Sequence, residues 1–125
     1  MYGYSKEVAQ DLREFRGNYG LLREGIKLPN HKSLLPLADS QPIDCRRDPV
    51  ESDVGCFLAG DIRSNEQLGL LAMHTIWFRE HNRIATELRH INPHWDGDML
   101  YHEARRIVGA EVRGGLFCRY LNNIN

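Results

Sequence analysis

The sequence lacks the features that assign a chain to a class by composition alone. Neither sign of charge dominates, since 16 Lys and Arg stand against 17 Asp and Glu. This near balance gives no indication of a nucleic-acid or other polyanion partner. No apolar run reaches the roughly 18 residues that a membrane span requires, and no signal peptide precedes the first predicted element. Repeats and low-complexity tracts are absent. A chain of 125 residues then suits a single domain.

Metal-ligand spacings are also missing. The sequence holds no HExxH and no CxxC pair, the patterns that bring zinc ligands together. His90 and His94 are four residues apart, but Pro93 between them interrupts any helix that would align them. His74 and His81 lie two turns apart on one helix face, too far to share a metal ion. Zinc chemistry therefore has little support.

Cysteine is scarce, with three residues in the chain. Cys45 and Cys56 flank a polar, proline-containing stretch that suits a disulfide-closed loop. Cys118 would then remain unpaired, which is unusual in a secreted protein. Composition alone slightly favours three free thiols in a reducing compartment, so both alternatives remain open at this point.

The first predicted element is a short helix over residues 5–16. Ser5 is a suitable N-cap, and Val8, Leu12 and Phe15 share one face. Residues 17–60 are rich in Gly, Pro, Asn and Asp, and a connection this long is unusual in a compact domain. We therefore expect an extended strap that lies across a larger body.

The strongest helical signal runs from about Ser64 to Ile91, where Pro93 stops it. Ser64 and Gln67 fit a capping box, and roughly 28 residues would span about 42 Å. Apolar residues point in nearly every direction around this helix, which is typical of a helix buried in a larger protein. They are Leu68, Leu70, Leu71, Met73, Ile76, Trp77 and Phe78.

A second long helix is predicted over residues 98–113. Asp96 or Asp98 would cap its start, and Gly114 with Gly115 would end it. The fold class predicted from these elements is mainly α, with a long central helix, a C-terminal helix and an N-terminal strap.

The five residues Arg79–Arg83 form a polar belt around the long helix. If the helix is buried, these side chains need internal hydrogen-bond partners. A structural network is favoured over a role of His81 as a catalytic base or ligand. Just before the helix, Arg63 and Glu66 are by pattern alone a surface cation and an acid that complements the helix dipole.

Four segments together resemble the catalytic domain of animal haem peroxidases, and most closely its peroxidasin branch. They follow one another in family order and with family spacing over roughly residues 2–112. The segments are Cys56–Leu70 (CFLAGDIRSNEQLGL), Met73–Ala85 (MHTIWFREHNRIA), Asn92–Asp98 (NPHWDGD) and Arg106–Glu111 (RIVGAE). The resemblance implies a mainly α partial peroxidase domain over residues 1–112, followed by a divergent tail over 113–125.

This resemblance assigns chemistry to particular residues. Arg63 matches the catalytic arginine of the distal haem pocket, where a fixed guanidinium stabilises charge on the leaving oxygen of peroxide. Glu66 matches the carboxylate that forms an ester with a methyl group of haem b. Cys45 and Cys56 match a disulfide pair, which raises the oxidised alternative above free thiols. The belt at Arg79–Arg83 matches a family signature without a direct role as haem ligand.

The resemblance also implies what this segment does not hold. The distal histidine and most of the calcium-binding loop would lie upstream, and the proximal histidine that ligates the iron would lie downstream. The implied function is reduction of hydrogen peroxide coupled to oxidation of halide or another small donor, outside the cell. We expect little activity of this polypeptide alone. The alternative is a non-catalytic module that associates with the remainder of a peroxidase chain.

Overall fold

The computed structural model describes residues 1–27, 29, 31–38, 45 and 55–122, with side chains as far as residue 115. Three helices occupy this part of the chain: α1 (Lys6–Asp11), α2 (Leu68–Ile91) and α3 (Gly97–Asn122). The other described residues form two isolated antiparallel bridges, and none of them belongs to an extended β-strand. The mainly α prediction is confirmed. The chain divides into two compact units, and α2 runs from the first into the second.

The first unit comprises residues 1–14 and 22–79. In α1 the Ser5 hydroxyl accepts the backbone N–H of Val8 at 3.3 Å, which confirms the predicted N-cap. Val8 and Leu12 are buried as expected. Phe15 does not join them, because the helix ends at Asp11, and its side chain is 58% exposed.

The described part of the strap is held by scattered backbone hydrogen bonds. Gly25 N–H donates to the carbonyl of Leu34 at 2.8 Å, and Leu34 N–H donates to that of Ile26 at 3.0 Å. Further along, Leu58 N–H donates to the carbonyl of Pro36 at 2.7 Å. This irregular pairing agrees with the prediction of a strap. Residues 28, 30, 39–44 and 46–54 of the strap lie outside the described part.

Helix α2 begins at Leu68 and not at Ser64, so the predicted capping box is wrong. Residues 61–66 form turns, in which Ser64 N–H donates to the carbonyl of Asp61 and Glu66 N–H to that of Arg63. The side chain of Asp61 accepts the backbone N–H of Arg63, and this local hydrogen bond holds the residues before Leu68 in turns instead of a helix. The C-terminal end at Ile91 agrees with the prediction.

Large apolar side chains remain exposed on α2 within the first unit. The exposed fraction is 85% for Leu68, 50% for Met73 and 54% for Ile76. Apolar residues surround the helix, and the described residues of the unit cover only part of it. This pattern agrees with the expectation that α2 belongs to a larger core.

The second unit comprises residues 15–21 and the chain from residue 80 onward. Its core contains the α2 residues His81, Ile84 and Ala85 and, from α3, Leu100, Tyr101, Ala104 and Val108. The apolar positions 100, 104 and 108 recur at helical spacing, so one stripe of α3 is buried.

The start of α3 confirms one of the two predicted caps, because the Asp96 carboxylate accepts the backbone N–H of Met99 at 2.8 Å. The predicted end is wrong. The helix continues through Gly114 and Gly115 to Asn122. A glycine in a helix interior costs about 1 kcal/mol relative to alanine, which weakens a helix without having to end it. The boundary between the peroxidase-like residues 1–112 and the divergent tail 113–125 does not depend on where α3 ends, and it stays a prediction.

Candidate functional site

The loop between Phe57 and Leu68 presents both residues that the sequence singled out. The side-chain amide of Asn65 closes this loop by donating to the carbonyl of Phe57 at 2.8 Å and accepting its N–H at 2.9 Å. Ser64 beneath it is fully buried. Because two adjacent residues are anchored inward, the side chains on either side of them are presented outward.

Arg63 stands on the outer side of the loop, with 66% of its side chain exposed. Its guanidinium is held by Asp61, which accepts Nε–H at 3.1 Å and Nη2–H at 2.9 Å. The same carboxylate accepts the backbone N–H of Arg63 at 2.9 Å. The hydrogen bonds from Arg63 hold the pKa of Asp61 well below its usual range, and Asp61 in turn raises the pKa of Arg63.

Glu66 is also exposed and lies one turn further along the same loop. Its backbone N–H donates to the carbonyl of Arg63 at 3.0 Å, which fixes the spacing of the two residues. Its carboxylate contributes a small upward shift to the pKa of Arg63, after the larger effect of Asp61. The loop therefore presents the Arg63 guanidinium, which is paired with Asp61, and the Glu66 carboxylate three residues further on.

A disulfide joins Cys45 to Cys56 immediately before this loop, with the Cα atoms 6.2 Å apart. The pair implied by the resemblance is therefore present. It ties two parts of the strap together just before Phe57. The side chain of Cys118 lies outside the described part of the chain.

An apolar groove of about 400 Å³ adjoins α2 in the first unit. Phe57 and Leu68 take part in its lining, whereas Arg63 and Glu66 do not. The groove and the polar loop are thus neighbouring but separate features. Its lining residues are Leu34, Leu35, Phe57, Leu68, Leu71, Ala72, Thr75, Ile76 and Arg79.

The polar belt serves the structure, as the sequence favoured. Arg79 donates from Nε to the carbonyl of Ser33 at 2.9 Å within the first unit. His81 is fully buried in the second unit, where its Nε2 lies 2.9 Å from the carbonyl oxygen of Gly20. A carbonyl only accepts, so Nε2 carries the proton. Arg83 forms an ion pair with Glu80.

Sequence reasoning missed Asp61 and Asn65, which shape the loop. A signal for Asp61 was available, since Asp often accepts the backbone N–H two residues ahead in an Asx turn. The hydrogen bonds between Asn65 and Phe57 join residues that are eight positions apart, and no local pattern in the sequence predicts them.

Comparison with known proteins decides the family. The family profile described as Animal haem peroxidase matches residues 1–124. The chain belongs to the animal haem peroxidase family. Within the family, it is 53% identical over 124 residues to the peroxidasin homolog of Homo sapiens and 56% identical over 122 residues to peroxidasin of Drosophila melanogaster. These matches cover 99% and 97% of this chain and 8% of each relative.

The fold comparison agrees with this family assignment. Peroxidase A from Dictyostelium discoideum matches 86% of this chain with a TM-score of 0.69 and 27% sequence identity. The match covers 20% of that peroxidase. The chain therefore spans a small part of the relatives that it resembles.

The side chains of this loop are chemically compatible with the haem group that the family implies for the parent enzyme. An exposed guanidinium and an exposed carboxylate suit a ligand with polar substituents, and the neighbouring Ile62 and Leu68 offer exposed apolar surface for a flat ring. Among the described residues, no group of three or more His, Cys, Asp or Glu side chains converges on a metal position. None of the described helices is long and apolar enough to cross a membrane.

Proposed function

We propose that this chain supplies the peroxide side of the haem site in a haem-dependent peroxidase. The single observation that carries the proposal is the loop over residues 61–66. It presents Arg63 and Glu66 outward while Ser64 and Asn65 anchor it inward. This arrangement occurs in a segment matched by the family profile. The family also contains relatives more than 50% identical to the chain.

Arg63 is the proposed catalytic residue of this chain. When bound, haem b supplies the redox chemistry by which hydrogen peroxide is reduced and halide or another small donor is oxidised. The guanidinium of Arg63 stabilises negative charge on the leaving oxygen of peroxide, because its charge and donors are fixed before the reaction begins. Its raised pKa keeps it protonated at every relevant pH.

Glu66 is the proposed attachment point of the haem. Its exposed carboxylate is available for an ester bond with a haem methyl group. A C–H bond of the methyl group would be replaced by a C–O bond, and hydrogen peroxide would accept the two electrons and be reduced to water. In the family branch with a further methionine link, a methionine follows the glutamate, whereas Gln67 stands here. We therefore propose a single haem bond from this loop. Calcium is proposed only for the parent domain, with most of its site outside this chain.

The proposed location is extracellular. The Cys45–Cys56 disulfide supports it, because disulfides persist in oxidising compartments. The similarity of the chain to the two peroxidasins named above also supports this location.

A peroxidasin in which this chain replaces the matched segment tests the catalytic proposal. Changing Arg63→Ala in this chimera should lower peroxide-dependent turnover by about 100-fold, the loss typical of one removed charge-stabilising donor. Haem content should be unchanged. The matched control is Arg83→Ala, which removes another exposed arginine that is paired with a carboxylate. Turnover within about threefold of the parent after Arg63→Ala would contradict the proposal.

A second candidate function is a non-catalytic module that binds a peroxidase chain. The observation that favours it is the apolar surface of α2, where Leu68, Met73 and Ile76 are at least half exposed. An apolar surface of this kind is typical of an interaction site. The isolated 125-residue chain should then be retained by an immobilised peroxidase domain, and Leu68→Lys with Ile76→Lys should abolish retention. A monomeric chain that shows no binding would exclude this function.

A further inference from the structure

Asp61 has no role so far, yet within the described part of the chain it accepts every side-chain hydrogen bond that Arg63 donates. One oxygen accepts Nε–H at 3.1 Å and the other accepts Nη2–H at 2.9 Å. This is the side-on bidentate arrangement in which a carboxylate fixes the plane of a guanidinium as well as its position. A third hydrogen bond, from the backbone N–H of Arg63 at 2.9 Å, fixes the carboxylate itself.

The hydrogen-bond count shows which edge of the guanidinium remains available. An arginine side chain has five N–H donors, and Asp61 takes two of them. Among the described residues, no acceptor is bound to Nη1. The edge formed by Nη1 and the second Nη2 proton therefore points away from the carboxylate and can receive an anion.

Asp61 remains charged under all conditions in which the loop would function. The hydrogen bonds from Arg63, followed by the effect of its charge, hold the pKa of Asp61 well below its usual range. The carboxylate is 32% exposed and the guanidinium 66% exposed. A largely exposed ion pair contributes little to the free energy of unfolding. The main effect of this pair is therefore to fix the orientation of the Arg63 guanidinium.

We propose that Asp61 is the positioning residue of Arg63: it holds one edge of the guanidinium and turns the opposite edge toward the oxygens of peroxide. This inference rests on the proposed function for the identity of the anion, but the hydrogen-bond arrangement itself can be tested separately. Without the bidentate contact, the long side chain of Arg63 samples many rotamers. A preorganised donor becomes a mobile one, and its effect on the reaction falls.

The first test is an NMR measurement of the 125-residue chain without haem. In the wild-type chain, the Nε–Hε signal of Arg63 should be resolved from that of free arginine and should exchange slowly with water. Asp61→Asn should shift it toward the free position, because the amide lacks the negative charge and its NH2 group cannot accept from Nη2, although the amide oxygen can still accept the N–H groups now bound to Oδ1. The signal of Arg83, whose Nε–H and Nη2–H donate to the two carboxylate oxygens of Glu80, should not move. Glu80→Gln should give the converse pattern.

The pH dependence supplies a second readout. The pKa of Asp61 is depressed from 3.8, so the contact should be complete above that pH and should persist as the pH falls through 3.8. It should be lost only in stronger acid. The inference is overturned if the wild-type Arg63 signal lies at the position of free arginine. It is equally overturned if Asp61→Asn leaves the signal unchanged.

The chimera separates failure of this inference from failure of the proposed function. Asp61→Asn should slow the reaction with peroxide by about 10-fold, less than Arg63→Ala, because the charge remains and only its placement is lost. In the Arg63→Ala background, Asp61→Asn should have no further effect. Additive losses would overturn the positioning role while leaving Arg63 in place. No loss from Arg63→Ala would overturn the proposed function, whatever the NMR result.

Discussion

Single residues in the second unit show why a short sequence of irregular appearance folds in one way. Gly20 has a φ of +69°, and a Cβ atom placed on it would lie 2.6 Å from the backbone nitrogen of Tyr101. Only glycine meets both conditions without strain. Its carbonyl then accepts the proton of buried His81. His81 of the polar belt therefore supplies the hydrogen bond that the buried carbonyl of Gly20 needs.

His74 is one residue at which stability should respond to mild acid. It is half-buried in the first unit, its Nδ1 has no hydrogen-bond partner among the described residues, and burial lowers its pKa below 6.5, opposed in part by the charge of Asp61. The unfolded chain therefore binds the proton more readily than the folded chain. The free energy of unfolding should decrease as the pH falls through 6.5 and below.

Denaturant unfolding of the 125-residue chain between pH 7.5 and 5 measures this effect. His74→Gln should flatten the dependence, because glutamine does not titrate. His102→Gln, a change at an exposed position, is the matched control and should leave the slope unaltered. An equal slope in wild-type and His74→Gln chains would refute the assignment.

Residue-level prediction from sequence was uneven for physical reasons. The cap at Ser5 depends on neighbours three residues away and was predicted. The contact of Arg63 with Asp61 is also local, and the Asx turn that forms it is a known local pattern that was not used. The partners of Arg79 and His81 are 46 and 61 residues distant, and no local pattern could identify them.

At the level of elements, both long helices were predicted, and their ends were less accurate. The sequence predicts that α2 starts four residues earlier than it does. The hydrogen bonds of Asp61 and Asn65 hold the preceding residues in turns. The end of α3 was placed early because Gly114 and Gly115 resemble a terminator. The open space around both glycines offers a test, since a Cβ atom at either would meet no described residue within 4 Å.

Alanine at these two positions should stabilise α3. Each of Gly114→Ala and Gly115→Ala should raise helix stability by up to about 1 kcal/mol, because alanine loses less backbone entropy in a helix. Gly109→Ala, also in open space within α3, is the positive control. Circular dichroism and denaturant unfolding measure the change. A loss of helicity at Gly114 or Gly115, with a gain at Gly109, would mean that the helix ends at the glycine pair.

At the level of the whole molecule, the sequence predicted the mainly α class and the exposed apolar surface of α2. The family followed from motif order, and the family profile over residues 1–124 supports it. The chemistry of the site is a property of a larger body, because the chain covers 8% of each of the two peroxidasins. Composition and periodicity could not indicate the haem chemistry that we propose, since Arg63 and Glu66 resemble ordinary surface residues in the sequence.

The central claim is that the loop over residues 61–66 forms one edge of a haem site. Mass spectrometry of the chimera after turnover with peroxide and acid extraction tests it most directly. Haem should remain bonded to the peptide that contains Glu66, and Glu66→Gln should remove that bond while Glu111→Gln, a change at another exposed glutamate, should preserve it. If the peptide carries no haem, or if the Glu66→Gln peptide still carries it, the account is contradicted.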